Sequence, residues 1–317
     1  MTLIKQPTTE NILLAARNLK AGALIGLPTE TVYGLAADAE NESAVRRIYE
    51  VKDRPFDHPL IVHIGSIEYL KKWAVDIPRF AHNLAEKFWP GPMTLILKRS
   101  KIAMDYVTGN QNSIAVRFPN HPVALSILSE FHKLGGNGLA APSANKYSRV
   151  SSTTAKAVYE QLGKDLFPDN DLIIDGGVCD IGLESTIINC LSEFPKTLRP
   201  GSVILENQVE YQNLKTESES AVKHSGDAFK HYSPNAQIVL DGDPRIGDGF
   251  IALAKTKTPI GCHRLSSPSN AFEFAKNLYE SLRLGDKLNL ERIFVEVPEG
   301  NGIEIAIKDR LLKASHN

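Results

Sequence analysis

The chain has 317 residues, of which 42% are hydrophobic and 23% are charged, and its formal net charge is -1. This length predicts two domains with enough apolar material for buried cores. A nearly neutral chain gives no general reason to expect binding to nucleic acid or to membranes. Three cysteines without C-x-x-C spacing argue against a disulfide framework or a zinc ribbon and favour a cytoplasmic location. The N-terminal segment lacks the apolar stretch of a signal peptide, and no apolar run is long enough to cross a bilayer.

Helical and strand patterns alternate along the first two thirds of the chain. A threonine cap followed by apolar residues on one face predicts a helix over 8–20, and a short apolar run predicts a buried strand over 23–27. Further along, the patterns predict helices over 41–51, 121–132 and 152–162, and strands over 60–64, 94–97, 113–118, 172–174 and 186–189. This alternation is typical of an α/β fold, in which helices cover a sheet. The order of the strands does not follow from one sequence.

The composition changes after Arg199-Pro200-Gly201. Residues 206–225 are rich in Glu, Gln, Asn and Ser and have weak periodicity, which is typical of a linker. Beyond them, a second α/β unit is predicted from strands over 237–240 and 292–297 and helices over 270–284 and 302–314. We therefore predict a first domain over 1–205, a linker over 206–235 and a small C-terminal domain over 236–317.

The usual catalytic strings are absent. The sequence has no G-x-x-x-x-G-K-[ST] phosphate loop, no H-E-x-x-H zinc motif and no nucleophile elbow. Residues 247–252 match G-x-G-x-x-A, but they precede an apolar run instead of leading from a strand into a helix. That context argues against a dinucleotide site.

Polar residues between apolar segments are the better candidates for a site. Residues 28–35, PTETVYGL, follow a strand end, where ligands bind in open α/β sheets, although threonine hydroxyls can also serve an ordinary turn. Lys52, Arg54 and His58 precede a strand that carries His63. The two cations could clamp phosphates or merely complement a helix C-terminus, and His63 could be a core histidine.

Three later parts of the chain also place polar residues between apolar segments. Residues 141–145, APSAN, and the serines after them could bind a nucleotide, and Ser151 or Ser152 could cap the next helix. A further group comprises Arg117 at a strand end, Glu184-Ser185-Thr186 before a strand, and Arg199-Pro200-Gly201. An arginine at a strand end could pair with a carboxylate of the protein or grip that of an amino acid. An aromatic and an imidazole group stand together at His231-Tyr232 after the linker.

In order and spacing, PTETVYGL, KDRPFDHPL, PSAN, EST, RPG and KHYSP resemble the YrdC-like family in its long two-domain form, over essentially the whole chain. The resemblance implies a twisted open sheet with helices around a large, positively charged cavity, and a small Rossmann-like C-terminal α/β domain. It also implies L-threonylcarbamoyladenylate synthase activity. Such a nucleotidyltransferase condenses L-threonine, bicarbonate or CO2, and ATP into threonylcarbamoyl-AMP and pyrophosphate, for modification of the adenosine next to the anticodon in tRNA.

The resemblance also implies roles for individual residues. Those that would hold threonine are Thr31, His63, Arg117 and Ser185. Those that would face ATP are Lys52, Arg54, His58, Ser113, Ser143, Asn145, Ser151, Arg199 and Tyr232. Lys52 and Arg54 would supply catalytic charge stabilisation, and Tyr232 would close over the nucleotide. The role of Ser151 rests on spacing, because Tyr147-Ser148 replaces the Ser-Gly pair that family members often carry after PSAN.

The implied metal is Mg²⁺, carried by the ATP phosphates without ligands from the protein. The product would pass to a tRNA threonylcarbamoyl-transferase. A non-catalytic module that binds double-stranded RNA or tRNA is the alternative, and the net charge of -1 argues against it. Carbamoyl-transfer enzymes of the hydrogenase-maturation type are longer and carry zinc-finger cysteines, which this chain lacks. No membrane partner is expected.

Overall fold

The computed structural model describes residues 3–205, 222–226 and 231–315. Within these ranges the chain forms two α/β units, built on a ten-stranded and a four-stranded sheet. The strands of the first sheet are β1 (Ile4–Lys5), β2 (Ile25–Leu27), β3 (Gly34–Asp38), β4 (Ile61–His63), β5 (Met93–Lys98), β6 (Ser113–Arg117), β7 (Leu139–Ala140), β8 (Leu172–Ile174), β9 (Thr186–Asn189) and β10 (Lys196–Arg199). Those of the second are β11 (Gln237–Val239), β12 (Gly249–Ile251), β13 (His263–Ser266) and β14 (Arg292–Val295). The predicted α/β fold class is confirmed.

The helices of the first unit are α1 (Thr9–Lys20), α2 (Glu42–Lys52), α3 (Leu70–Trp73), α4 (Arg79–Phe88), α5 (Asp105–Thr108), α6 (Pro122–Lys133) and α7 (Ala155–Leu162). Those of the second are α8 (Ala271–Lys287) and α9 (Ile303–Ser315). The cap predicted at Ser151 or Ser152 is wrong. Thr154 is the N-cap of α7, where its side chain accepts a hydrogen bond from the backbone N–H of Ala157 at 3.1 Å.

The ten-stranded sheet has the order β1-β8-β2-β3-β7-β4-β6-β5-β9-β10. Parallel pairing of β4 with β6 sets His63 opposite Arg117, and antiparallel pairing of β5 with β6 sets Thr94 opposite Arg117. Directly opposed residues of neighbouring strands point to the same face of a sheet. The register therefore brings these three side chains together, although they are up to 54 residues apart in sequence.

The two faces of this sheet are covered differently. One face carries the largest apolar core, which includes Tyr33, Val62 and Trp73. On the other face, α1 and α6 pack over the strands on the β2 side. Beside them, the strands β4, β5, β6 and β9 carry only a small apolar cluster, against which Val222 packs. This second face therefore leaves room for a cavity.

The four-stranded sheet has the order β11-β14-β12-β13, and all of its strand pairs are parallel. Helices α8 and α9 pack on it through a core that also contains Val32, Val150, Leu183 and Tyr232 from outside this unit. The two units are thus joined by a buried interface. Gly247 precedes β12 and does not follow a strand, so the G-x-G-x-x-A match lacks the strand-to-helix context of a dinucleotide site. None of the helices in the described ranges has both the length and the apolarity needed to span a bilayer.

Candidate active site

A cavity lies on the half-covered face of the large sheet. Its lining comes from the loop 28–33, from strands β4 and β6, and from the segments around Ser143, Ser185 and Tyr232. It includes seven of the predicted site residues, which are Thr31, His63, Arg117, Ser143, Ser185, Arg199 and Tyr232. All four residues proposed for threonine are among them, so the fold brings together groups that are far apart in sequence.

The loop 28–33 connects β2 to β3 and forms one wall of the cavity. The Thr29 hydroxyl donates to the carbonyl oxygen of Val32 at 2.6 Å and accepts from the Thr31 N–H at 3.3 Å. This is the ordinary turn role that the sequence left open. The loop is tied to the PSAN segment, because Ala144 N–H donates to the Tyr33 carbonyl at 2.7 Å. The Thr31 hydroxyl faces Arg117.

Arg117 and His63 form the floor of the cavity. Arg117 is 4% exposed, and its Nη1 donates to the Thr31 hydroxyl at 2.8 Å. Its Nη2 lies 2.7 Å from a carboxylate oxygen of Glu30. Burial, together with the positive charge of Arg117, lowers the pKa of His63 to about 3. The imidazole is therefore neutral near pH 7 and can act as a hydrogen-bonding group without carrying charge.

Ser185 and Arg199 occupy the opposite wall. The Ser185 hydroxyl lies 2.7 Å from that of Thr94, and the Arg199 guanidinium donates twice to the Ser185 carbonyl and once to its hydroxyl. Nη1 of Arg199 donates to the carbonyl of Ser225 at 3.0 Å. Arg199 is thus fixed by backbone oxygens, which hold its orientation without cancelling its charge.

A buried carboxylate that sequence reasoning passed over holds this wall in place. Glu184 accepts hydrogen bonds from the Ser151 hydroxyl at 2.6 Å, from the Tyr279 hydroxyl and from Arg310 Nε at 2.8 Å. Burial opposes its ionisation, but Arg310 and Arg199 outweigh that effect and lower its pKa to about 2. Since Tyr279 and Arg310 belong to α8 and α9, the C-terminal unit supplies two partners to a residue of the E-S-T motif. Only the position of Glu184 beside Ser185 hinted at this in the sequence.

Lys52, Asn145 and Ser151 lie outside the cavity lining. Lys52 is fully buried, and its ammonium group donates to the carbonyl oxygens of Ser143 and Asn145. Burial, and then the nearby charges of Arg54 and Lys146, hold its pKa well below the usual range. Lys52 therefore fixes the shape of the PSAN segment, and its contact with ATP stays a prediction.

Arg54, His58 and Ser113 also lie outside this lining. Arg54 donates to the Pro59 carbonyl at 3.0 Å and lies 5.8 Å from the centre of the Tyr147 ring. The His58 ring meets the same tyrosine edge-on. Ser113 is on the same strand as Arg117 but four residues away, in a separate depression lined by Gln111 and Val222. A ligand that reached these residues would extend beyond the cavity.

His231 and Tyr232 close the cavity. Tyr232 is 1% exposed, stacks on Tyr279 with 5.9 Å between ring centres, and lies beneath the Arg310 guanidinium. Burial lowers the pKa of His231 to about 3. The Tyr232 hydroxyl and His231 Nδ1 are buried without hydrogen-bond partners among the residues that the structure describes. Most of the predicted linker over 206–235, including Lys230 of KHYSP, lies outside the described residues, so the predicted domain boundaries stay a prediction.

Fold and site together define an α/β protein with a polar cavity lined by two buried arginines, Arg117 and Arg199. A family model for Sua5, YciO and YrdC, described as telomere recombination, matches residues 17–201, and the model of the threonylcarbamoyl-AMP synthase C-terminal domain matches residues 198–316. The threonylcarbamoyl-AMP synthase of Pyrococcus abyssi is 36% identical, with 96% of this chain and 94% of that protein covered. The synthase of Bacillus subtilis is 34% identical, with 96% and 92% covered. The chain belongs to the Sua5/YciO/YrdC family, as the motifs predicted.

A solved structure extends the comparison to three dimensions. The crystal structure of P. abyssi Sua5 complexed with L-threonine superposes with a TM-score of 0.86 at 34% identity, and it covers 99% of this chain and 98% of its own. The likeness includes both units, so the predicted two-part architecture is confirmed.

Proposed function

We propose that this protein is an L-threonylcarbamoyladenylate synthase that condenses L-threonine, bicarbonate or CO2, and ATP into threonylcarbamoyl-AMP and pyrophosphate. The observation that carries the proposal is the meeting of Thr31, His63, Arg117 and Ser185 in one cavity. Relatives that match nearly the whole chain are named threonylcarbamoyl-AMP synthases. The reaction is a nucleotidyl transfer, because an adenylyl group moves to the threonine carbamate.

The end of the cavity at Arg117 suits an amino acid. A guanidinium held by Thr31 presents its remaining N–H groups for a carboxylate, which is the geometry that favours arginine over lysine. The neutral imidazole of His63 and the hydroxyl of Ser185 can bind the amine and hydroxyl groups of threonine without adding charge.

The end at Arg199 suits a nucleotide phosphate. Arg199, Arg310 and Lys313 carry three positive charges against the two negative charges of Glu184 and Asp309, so this end attracts anions. Magnesium would enter as the complex with ATP. The ranges 3–205, 222–226 and 231–315 contain no group of three acidic, histidine or cysteine side chains suited to hold a metal.

The reaction needs no nucleophile from the protein. The free amine of threonine attacks the carbon of CO2 and gives up one proton, or attacks bicarbonate with loss of water, and either route gives a carbamate. A carbamate oxygen then attacks the α-phosphorus of ATP. As that bond forms, the bond to the bridging oxygen breaks and pyrophosphate leaves. Fixed positions and positive charge accelerate such a step. Tyr232 lines the cavity and would shield the labile mixed anhydride from water.

The test is pyrophosphate release by the full chain with Mg-ATP, bicarbonate and threonine, in which each component is omitted in turn. Release that requires both threonine and bicarbonate supports the proposal. Ser185→Ala should raise the KM for threonine, because it removes a hydroxyl from the cavity wall. Ser126→Ala, on the exposed face of α6, is the matched control and should leave the KM unchanged. Release that is indifferent to threonine would contradict the proposed reaction.

We further propose that the product passes to a tRNA threonylcarbamoyl-transferase, because a mixed anhydride is short-lived in water. All three cysteines are free thiols, and on that ground we propose the cytoplasm as the location.

A further inference from the structure

Behind the threonine end of the cavity lies a buried carboxylate to which the proposed reaction gives no role. Glu30 is 5% exposed and does not line the cavity, whereas its neighbours Thr29 and Thr31 do. Its backbone carbonyl accepts from the Ile181 N–H at 2.8 Å, which anchors the loop. Its Oε1 lies 2.7 Å from Nη2 of Arg117.

The contact between Glu30 and Arg117 is one of charge more than of hydrogen bonding. Neither carboxylate oxygen of Glu30, nor Nη2 of Arg117, has an aligned hydrogen-bond partner among the described residues. The directional bonds of Arg117 go to the Thr31 hydroxyl and, at 3.4 Å, to the Gly91 carbonyl. Glu30 therefore contributes chiefly its negative charge, in a place where water cannot screen it.

The charges at the two ends of the cavity differ. At the threonine end, burial lowers the pKa of His63 and of His121, so both are neutral near pH 7, and Glu30 cancels Arg117. At the other end, the cations Arg199, Arg310 and Lys313 outnumber the carboxylates Glu184 and Asp309 by one. An anion is therefore favoured at the second end, while the first end has no net charge to offer.

We propose that Glu30 is a specificity-determining residue that restricts the threonine end to zwitterionic α-amino acids. A carboxylate without an ammonium group brings a third, uncompensated charge beside the Arg117–Glu30 pair. A zwitterion brings no net charge, and its ammonium group is attracted by Glu30 while its carboxylate meets Arg117. This inference rests on the proposed function, since it concerns how the same site selects its amino acid.

The expected size of the effect follows from Coulomb's law. Two unit charges about 6 Å apart in a protein of effective dielectric constant about 20 interact strongly enough to change an affinity by about 100-fold. Relaxation and solvent reduce this figure. We therefore expect L-threonine to bind at least about tenfold more tightly than (R)-3-hydroxybutanoate, which has the same carboxylate and hydroxyl but no ammonium group.

The experiment is calorimetric titration of the full chain at pH 7.5 with these two compounds. Glu30→Gln should weaken threonine binding and strengthen 3-hydroxybutanoate binding, so that the preference falls by about tenfold or more. General damage to the site would weaken both ligands. Glu42→Gln is the matched control, because Glu42 lies 2.7 Å from Arg46 in an exposed pair, and it should leave both affinities unchanged.

Glu30→Asp keeps the charge and should keep the preference within about threefold of wild type. The proposal is overturned if wild type binds both compounds equally well, a result that needs no variant to fold. It is also overturned if Glu30→Asp abolishes the preference for threonine over 3-hydroxybutanoate as Glu30→Gln does, or if Glu30→Gln leaves that preference unchanged. Failure of wild type to bind threonine at all would instead refute the proposed function.

Discussion

Replacing Arg310 with methionine should destabilise the whole chain, although Arg310 belongs to the C-terminal unit. Its side chain is fully buried, its Nε donates to Glu184 at 2.8 Å and its Nη2 donates to the Pro200 carbonyl at 3.0 Å. Methionine matches its length but not its charge. Arg310→Met therefore leaves the Glu184 carboxylate buried without its main counter-charge.

Two independent arguments give the magnitude. Removal of one partner from a buried ion pair costs about 3–5 kcal/mol. The pKa of Glu184 falls from the ordinary value of 4.5 to about 2 in the folded chain, which corresponds to about 3 kcal/mol of stability above pH 4.5 that is lost as the pH falls towards 2. We therefore expect Arg310→Met to lower the free energy of unfolding by about 3 kcal/mol or more at pH 7.

The assay is urea unfolding followed by tryptophan fluorescence. Trp73 and Trp89 are the two tryptophans of the chain, and both lie in the first unit. A shift of their transition by a substitution in α9 shows that the interface couples the two units. Arg46→Met is the control, because it breaks an exposed pair worth about 1 kcal/mol or less. An unchanged tryptophan transition in Arg310→Met would refute the argument that Glu184 depends on α9.

Three further predictions concern the candidate active site. Arg117→Lys should raise the KM for threonine by about tenfold or more and leave the KM for ATP nearly unchanged in steady-state assays, because a lysine cannot reproduce the planar fork. Arg54→Lys should lower kcat/KM by about 30-fold, the scale of one lost electrostatic contact. Full activity of this variant would contradict a bidentate contact between the Arg54 guanidinium and a phosphate. The pKa of His63 is about 3 in the folded chain, well below the ordinary value of 6.5. Below pH 6.5 the unfolded chain therefore binds a proton at His63 that the folded chain does not, and the free energy of unfolding decreases as the pH is lowered. When the pH is lowered from 6.5 to 5, the free energy of unfolding of His63→Gln should fall by about 1–2 kcal/mol less than that of wild type, as measured by urea titrations.

Local patterns in the sequence predicted much of the secondary structure. The helix over 8–20 was found as α1 with Thr8 as its cap, and the strands over 172–174 and 186–189 were found at their predicted bounds. These segments succeed because capping and apolar periodicity act within a few residues. Strand β3 (Gly34–Asp38) was missed, because it is buried throughout and its small residues show no alternation.

The motifs likewise identified the family and named seven residues that line one cavity. Tertiary structure adds that the side chain of Lys52 donates to two backbone carbonyls and that Ser113 lies apart from this cavity, and the roles of both residues toward ATP stay predictions. It also shows that Glu30 and Glu184, to which the motifs assigned no role, are buried beside arginines. A sequence states which side chains are present, but it does not state which of them are buried in contact with one another.

The sequence by itself determined much of the alternation of helices and strands, the family and seven of the residues that line the cavity, because these depend on short-range patterns and on motif order. Only the tertiary structure decided the strand order, the pairing of His63 with Arg117 across two strands, and the hydrogen bonds that α8 and α9 donate to Glu184. The reason is physical. Sheet register and the pairing of buried charges are settled by contacts between residues far apart in the chain, and their energies depend on burial, which no local pattern encodes.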